Sequence, residues 1–138
     1  MTLDEAWEIL QGSQFKRTRN REIILEFFSG KDRYLTAMEV RNHMAADNPG
    51  VSFDTIYRNL TTFSELGILE ETELNGERHF RMQCDHGVHH HHFICTDCGK
   101  TESIPHCPME SLSVNLPGYE VEGHKFEVYG KCPVCLYP

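Results

Sequence analysis

Residues 52–83 read SFDTIYRNLTTFSELGILEETELNGERHFRMQ, and the folding of this stretch decides how the rest is read. Ser52 suits the start of a helix, because its side-chain oxygen can accept an amide of the first turn. Ile56, Leu60 and Phe63 recur at i, i+4 and i+7, which lays one apolar stripe along a helix, and Gly67 supplies a C-terminal stop. ILEETEL and ERHFRMQ then flank Asn75-Gly76, the dipeptide best suited to a two-residue hairpin turn. The spacing therefore predicts a helix followed directly by a β-hairpin. Thr55, Tyr57, Arg58, Thr61 and Thr62 fall on the other faces of that helix. Such groups bond phosphates and read base edges in a major groove, although an ordinary solvated helix face has the same make-up.

Upstream, Leu3, Ala6, Trp7 and Leu10 keep helical spacing, as do Ile23, Ile24, Phe27 and Phe28 beyond a polar turn. Thr36 to Glu39 form a capping-box pattern that opens a third helix, with Val40 and Met44 on its apolar face and Asp47 to Gly50 as its end. Three helices, a recognition-like helix and a hairpin predict a winged helix-turn-helix. That fold suggests DNA binding without proving it.

The formal net charge of −8 argues at first against nucleic acid, since phosphate binding is driven by Lys and Arg. Distribution softens the objection. Residues 1–66 carry 8 Lys/Arg against 10 Asp/Glu, whereas 67–138 carry 5 against 11. The basic residues also cluster, at Lys16, Arg17, Arg19 and Arg21 and again at Lys31 and Arg33, as they would at a solvated helix end too. No apolar run approaches the roughly 20 residues of a membrane span, and the acidic, amphipathic start does not resemble a signal peptide, so a cytoplasmic location is expected. In a reducing compartment, six cysteines with two C-x-x-C pairs point to metal thiolates rather than disulfides.

Cys95-x-x-Cys98 and Cys132-x-x-Cys135 are separated by 33 residues, each pair on a knuckle containing Gly or Pro. Two such knuckles can close a tetrahedral four-cysteine zinc site whose role is structural; a redox dithiol needs only one pair. Between Asp85 and Cys98 runs DHGVHHHHFICTDC. If 89–94 is a strand, His90 and His92 point one way and His89 and His91 the other, so one strand can serve two sites. A chelating histidine tract is the plainer alternative, but this run leads straight into FIC of the core. Cys84 with His90, His92 and either Glu70 or His79 makes one tetrahedral set suited to zinc. His89, His91, Glu110 and His124 make a second. Cys107, which like His106 lies close in sequence to Glu110, reads as a small buried apolar residue, and His43 and His86 as ordinary polar ones.

Strands near 90–94, 101–104 and 119–129 with a helix at 108–116, carrying Met109, Leu112 and Leu116 inward, describe a small α/β unit. Its open edges and thin core favour pairing with a second copy. The fold class is thus α+β, with a winged-helix DNA-binding domain at 1–83, a hinge near 83–88 and a metal-binding dimerisation domain at 89–138. A zinc hydrolase or deaminase would need an open three-ligand site with a general base; neither H-x-E nor H-E-x-x-H occurs, so an enzyme with a small-molecule substrate is not expected.

SFDTIYRNLTTFSELGILE, HHHHFICTDCGK and GHKFEVYGKCPVC together resemble the ferric-uptake-regulator family over essentially the whole chain, and most of all its zinc-uptake branch. The resemblance implies a homodimeric, zinc-responsive repressor that binds palindromic operator DNA and controls zinc uptake genes. By position it places structural zinc on Cys95, Cys98, Cys132 and Cys135 and a sensing zinc on Cys84, His90 and His92, with Glu70 or His79 as the fourth ligand. A further regulatory site falls on His89, His91, Glu110 and His124, giving one or two regulatory zinc ions per chain. Tyr57 and Arg58 match the family's DNA contacts, with Thr55 and Thr61 on the same helix, and Lys16 and Arg21 match its phosphate contacts. A sensor of iron, manganese or peroxide with the same fold is the nearest alternative, and a zinc store or metallochaperone a more distant one.

Overall fold

The computed structural model describes residues 1–84, 90–110 and 115–138, with Glu110 described by its backbone alone. The chain divides into two compact units, Met1–Asp85 and His86–Pro138.

The first unit opens with helix α1 (Leu3–Gly12), held by a capping box in which Thr2 accepts from the Glu5 amide and Glu5 bonds back to the Thr2 amide. Helices α2 (Arg19–Phe28) and α3 (Ala37–Met44) follow, the latter entered through the capping box at Thr36 and Glu39. Helix α4 (Phe53–Glu65) starts at Ser52, whose hydroxyl accepts the Thr55 amide. Strands β2 (Leu69–Leu74) and β3 (Glu77–Met82) form the expected hairpin. Asn75 and Gly76 take φ of 53° and 78°, the left-handed pair that a type I′ turn needs. A two-residue strand β1 (Leu35–Thr36) pairs with β3, giving an antiparallel sheet in the order β1-β3-β2.

The buried stripes of all four helices meet over this sheet. Phe28, Phe63, Phe80, Leu10, Ile24 and Leu60 are among the largest fully enclosed side chains. At roughly 1.5–3 kcal/mol per buried large apolar side chain, this core accounts for a self-supporting winged helix.

The second unit is built differently. Strand β4 (His91–Cys95) pairs antiparallel with β5 (Thr101–Ile104) and parallel with β6 (Glu127–Gly130), in the order β5-β4-β6. A single 3₁₀ turn (Pro108–Glu110) and a short helix α5 (Pro133–Leu136) complete it. Among its described residues, the enclosed side chains are Ile94, Cys95, Cys107, Cys132, His91 and Thr101. Four of these six carry metal-ligand chemistry, so little apolar area is available to hold so small a unit together.

Two expectations change here. Residues 119–126 form no strand: both edges of β4 are occupied by β5 and β6, the segment joins neither ladder, and His124 is instead turned toward His91 and Cys107. The expected helix at 108–116 is seen only as its first turn, 111–114 lie outside the described residues, and Leu116 is exposed rather than part of a buried stripe.

Candidate metal centre

The four cysteines of the two knuckles converge within the second unit, with all four sulfurs within 4.8 Å of one another. Cys95 ends β4, and Gly99, at a φ of +78°, turns the chain so that its amide donates to the Cys95 carbonyl (2.9 Å). The second knuckle follows β6, where Cys132 caps α5 and Pro133 fits the first helical position, which needs no amide. Thr96 ties the knuckles together: its amide and hydroxyl both donate to the Gly130 carbonyl, at 2.8 and 3.1 Å. Lys131 pairs with Asp97 at 3.1 Å across the same join.

Bond lengths of about 2.3 Å to sulfur put the edge of a tetrahedral zinc thiolate near about 3.8 Å. Cys98 and Cys132 sulfurs lie 3.7 Å apart, so the donor set fits zinc in spacing as well as in chemistry. Burial pushes the Cys95 thiol up, but the backbone amides of Cys98, Cys132 and Asp97 outweigh it and bring the thiol down to about 6. Hydrogen bonding to Cys132, with burial, pushes Cys135 up to about 12, and burial raises Cys98. A cation entering the cluster must displace thiol protons, and the amides around Cys95 favour its thiolate.

The histidine strand alternates as its period of two requires. His91 is buried, while the His90 and His92 rings meet edge to face at 4.9 Å on the other side. His91 Nε2 lies 3.2 Å from His124 Nε2, and the His124 nitrogen lies 3.2 Å from the Cys107 sulfur. Cys107, read from the sequence as a packing residue, is therefore one of three converging donors. His89 and the Glu110 side chain, two of the four members expected there, lie outside the described residues. His86 does too.

In the first unit, the Cys84 thiol donates to Glu70 Oε1 at 3.7 Å, and Arg81 Nε stands 3.5 Å from the same oxygen. Burial, followed by the Glu70 charge, pushes the Cys84 thiol up to about 11. His79 belongs to a different neighbourhood: it pairs with Thr72 and Thr36, and its Nδ1 donates to the Glu77 carbonyl at 2.9 Å. Of the two candidates for a fourth ligand beside Cys84, Glu70 is the one in contact with it.

On α4, Tyr57 and Arg58 face solvent, Arg58 resting against Asp54 at 2.8 Å. Thr55 bonds the Ser52 hydroxyl (3.0 Å), and Thr61 accepts from Arg78 at 3.3 Å. Lys16 is exposed. Arg21 is a brace: it donates to the Lys16 carbonyl (2.6 Å) and to Asn59 Oδ1 on α4 (3.2 Å), with its guanidinium over Phe15. Sequence position alone gives no sign of that fixing role. His43 stacks on Phe27, with ring centroids 4.1 Å apart.

A winged helix joined to a unit built around cysteine and histidine donors defines a metal-binding regulator. The chain belongs to the ferric uptake regulator family, whose family model matches residues 12–129. The ferric uptake regulation protein of Staphylococcus epidermidis is 45% identical over 135 residues, spanning 98% of this chain and 96% of that relative. The solved ferric uptake regulator of Helicobacter pylori shares the fold with a TM-score of 0.76 at 18% identity, covering 100% of this chain and 96% of its own. That of Francisella tularensis, solved with iron, gives 0.70 at 29% identity over 89% of this chain and 96% of its own. Among the described residues no helix is long and apolar enough to cross a membrane.

Proposed function

We propose that the chain is a zinc-responsive transcriptional repressor rather than an enzyme. In this reading it works in the cytoplasm as a homodimer, binds palindromic operator DNA when zinc fills a sensing site, and controls zinc uptake genes. The observation that carries the zinc assignment is Cys84. A sulfur beside the Glu70 carboxylate gives a soft and hard donor pair that suits a borderline cation better than manganese. Glu70, Cys84, His90 and His92 are the sensing ligands. Cys95, Cys98, Cys132 and Cys135 hold structural zinc, and His91 with His124, joined by His89 and Glu110, a further regulatory ion.

Sensing ligands drawn from both sides of residue 85 explain how a cation biases DNA binding, since a ligand shifts a two-state equilibrium only through its differential affinity for the two states. Support for a homodimer comes from Tyr119, Val121, Phe126, Tyr129 and Leu136, all exposed on the second unit. Operator half-sites about one or two helical turns apart, ~34 Å each, would then meet the two copies of α4.

One observation favours iron as the signal: the Staphylococcus epidermidis relative carries the name ferric uptake regulation protein. Operator binding followed by fluorescence anisotropy at buffered free zinc, iron(II) and manganese(II) decides between them. Zinc alone should switch binding on at very low free concentration. A switch driven by iron(II) but not zinc would replace the zinc reading with the iron one.

Arg58→Ala should weaken operator binding by about 1–3 kcal/mol, roughly 5- to 150-fold, with zinc content unchanged. Equal affinity in the variant would remove this face of α4 from the DNA interface.

A further inference from the structure

We infer that Cys107 is a metal ligand and that, with His91 and His124, it forms a site of one sulfur and two imidazoles for a borderline divalent cation of the zinc class. This deepens the second regulatory site of the preceding reading and rests on that reading only for its biological meaning. The binding itself rests on the geometry of the second unit.

A cysteine that merely fills space turns its sulfur toward carbon. Here the sulfur lies 3.2 Å from His124 Nε2, the His91 and His124 nitrogens are 3.2 Å apart, and all three donor atoms fall within 4.8 Å of one another. Zinc at about 2.0 Å from nitrogen and about 2.3 Å from sulfur needs tetrahedral edges of about 3.3 Å between nitrogens and about 3.5 Å between nitrogen and sulfur. The nitrogen pair sits about 0.1 Å and the nitrogen–sulfur pair about 0.3 Å inside those values, gaps that small side-chain rotations close.

The donors are also placed in the right kind of surroundings. Cys107 and His91 are 4% and 7% exposed, so two of the three are shielded from bulk water. The ring of Phe126 packs edge-on against His91, with centroids 5.5 Å apart, and limits the rotation of the imidazole. Pro105 and Pro108 bracket Cys107 and restrict the backbone that carries it. The three residues come from β4, from the connection after β5, and from the segment before β6. A cation there would tie 105–126, otherwise largely exposed among its described residues, to the central strand.

Binding converts the Cys107 thiol to a thiolate: the cation gains a sulfur bond, and the displaced proton leaves to solvent. These three donors leave one tetrahedral position, which one of His89 and Glu110 can fill. Against a site of imidazole and carboxylate alone, the sulfur favours zinc or cobalt(II) over manganese(II).

Cobalt(II) titration of full-length protein already loaded with structural zinc tests this, because thiolate ligation gives a near-ultraviolet sulfur-to-cobalt charge-transfer band. Cys84→Ser removes the only other thiol outside the four-cysteine centre. The single variant should still develop the band as cobalt binds. Adding Cys107→Ser should abolish it while structural zinc and the circular dichroism spectrum stay unchanged. Should that double variant misfold, His124→Ala in the Cys84→Ser background replaces it: an exposed ligand is removed, and cobalt affinity at the band should fall by at least about tenfold. Cobalt binding without a charge-transfer band in Cys84→Ser protein, or a band that survives loss of Cys107, overturns the assignment. Because no DNA is present, failure here leaves the regulator reading intact, and failure of operator binding leaves this site intact.

Discussion

Cys95→Ser is expected to strip structural zinc from the protein and unfold its second unit. The enclosed side chains described there are mostly potential ligands, and Cys95 itself is fully buried, with its sulfur accepting the Cys132 amide at 3.4 Å. Serine offers an oxygen on a shorter arm that stays protonated and binds zinc poorly. Structural zinc contributes an apparent ~10–16 kcal/mol in small cysteine-ligated domains, as much as or more than the ~5–15 kcal/mol net stability of an ordinary domain. With so little apolar area to compensate, the unit cannot keep its sheet when one ligand is lost. The first unit has a core of its own, running from Ala6 to Met82, and should keep its helices. Zinc content measured with a chelating dye should fall by at least one equivalent per chain, circular dichroism should retain the helical signal, and size-exclusion chromatography should show loss of the dimer. A stable dimer that keeps all its zinc would refute the structural role of the four-cysteine centre.

The parts of the fold that were legible in the sequence are those fixed by local chemistry. Thr36 and Glu39 signal their helix start because both capping bonds span only three residues. Asn75-Gly76 signals its turn because few other residues accept two consecutive positive φ values. What depends on distant partners was not legible. The two-residue strand β1 exists only because β3 offers an open edge to Leu35 and Thr36. Residues 119–126 look strand-like by alternation, yet they join none of the described ladders, and His124 among them is drawn instead to His91 and Cys107. The same division runs through the candidate sites. The two C-x-x-C knuckles announce themselves by spacing, whereas Cys107 becomes a candidate ligand only once β4 and the segment around His124 bring imidazoles to its sulfur. Arg21 carries the charge of a phosphate contact, but its bonds to the Lys16 carbonyl and Asn59 are set by how α2 packs on α4.

Cys84→Ser should leave a folded protein with its structural zinc but remove the response of DNA binding to metal. The substitution is a mild one for the metal-free fold. Burial and the Glu70 charge hold the Cys84 thiol near about 11, so at neutral pH it is an uncharged donor to Glu70, and a serine hydroxyl can make the same hydrogen bond. The difference emerges only when a cation arrives. Thiolate formation supplies both the negative charge and the soft donor that a zinc-class ion prefers, and serine supplies neither at neutral pH. If the sensing ion contributes a coupling of ~3 kcal/mol, the upper range for allosteric effectors, operator affinity at saturating zinc should drop about 150-fold, to that of the stripped wild type. Affinity without added metal should match between the two proteins, which separates loss of coupling from damage to the DNA-binding surface. Glu70→Gln should give a weaker form of the same defect, because it removes the charge beside the sulfur and keeps the side-chain size. His79→Ala should leave the response intact, since His79 is engaged with the Glu77 carbonyl rather than with Cys84. A Cys84→Ser protein that still switches fully with zinc would show that the cation is sensed elsewhere. In that case the site containing Cys107 would be the next place to look, because it would hold the one thiol left outside the four-cysteine centre.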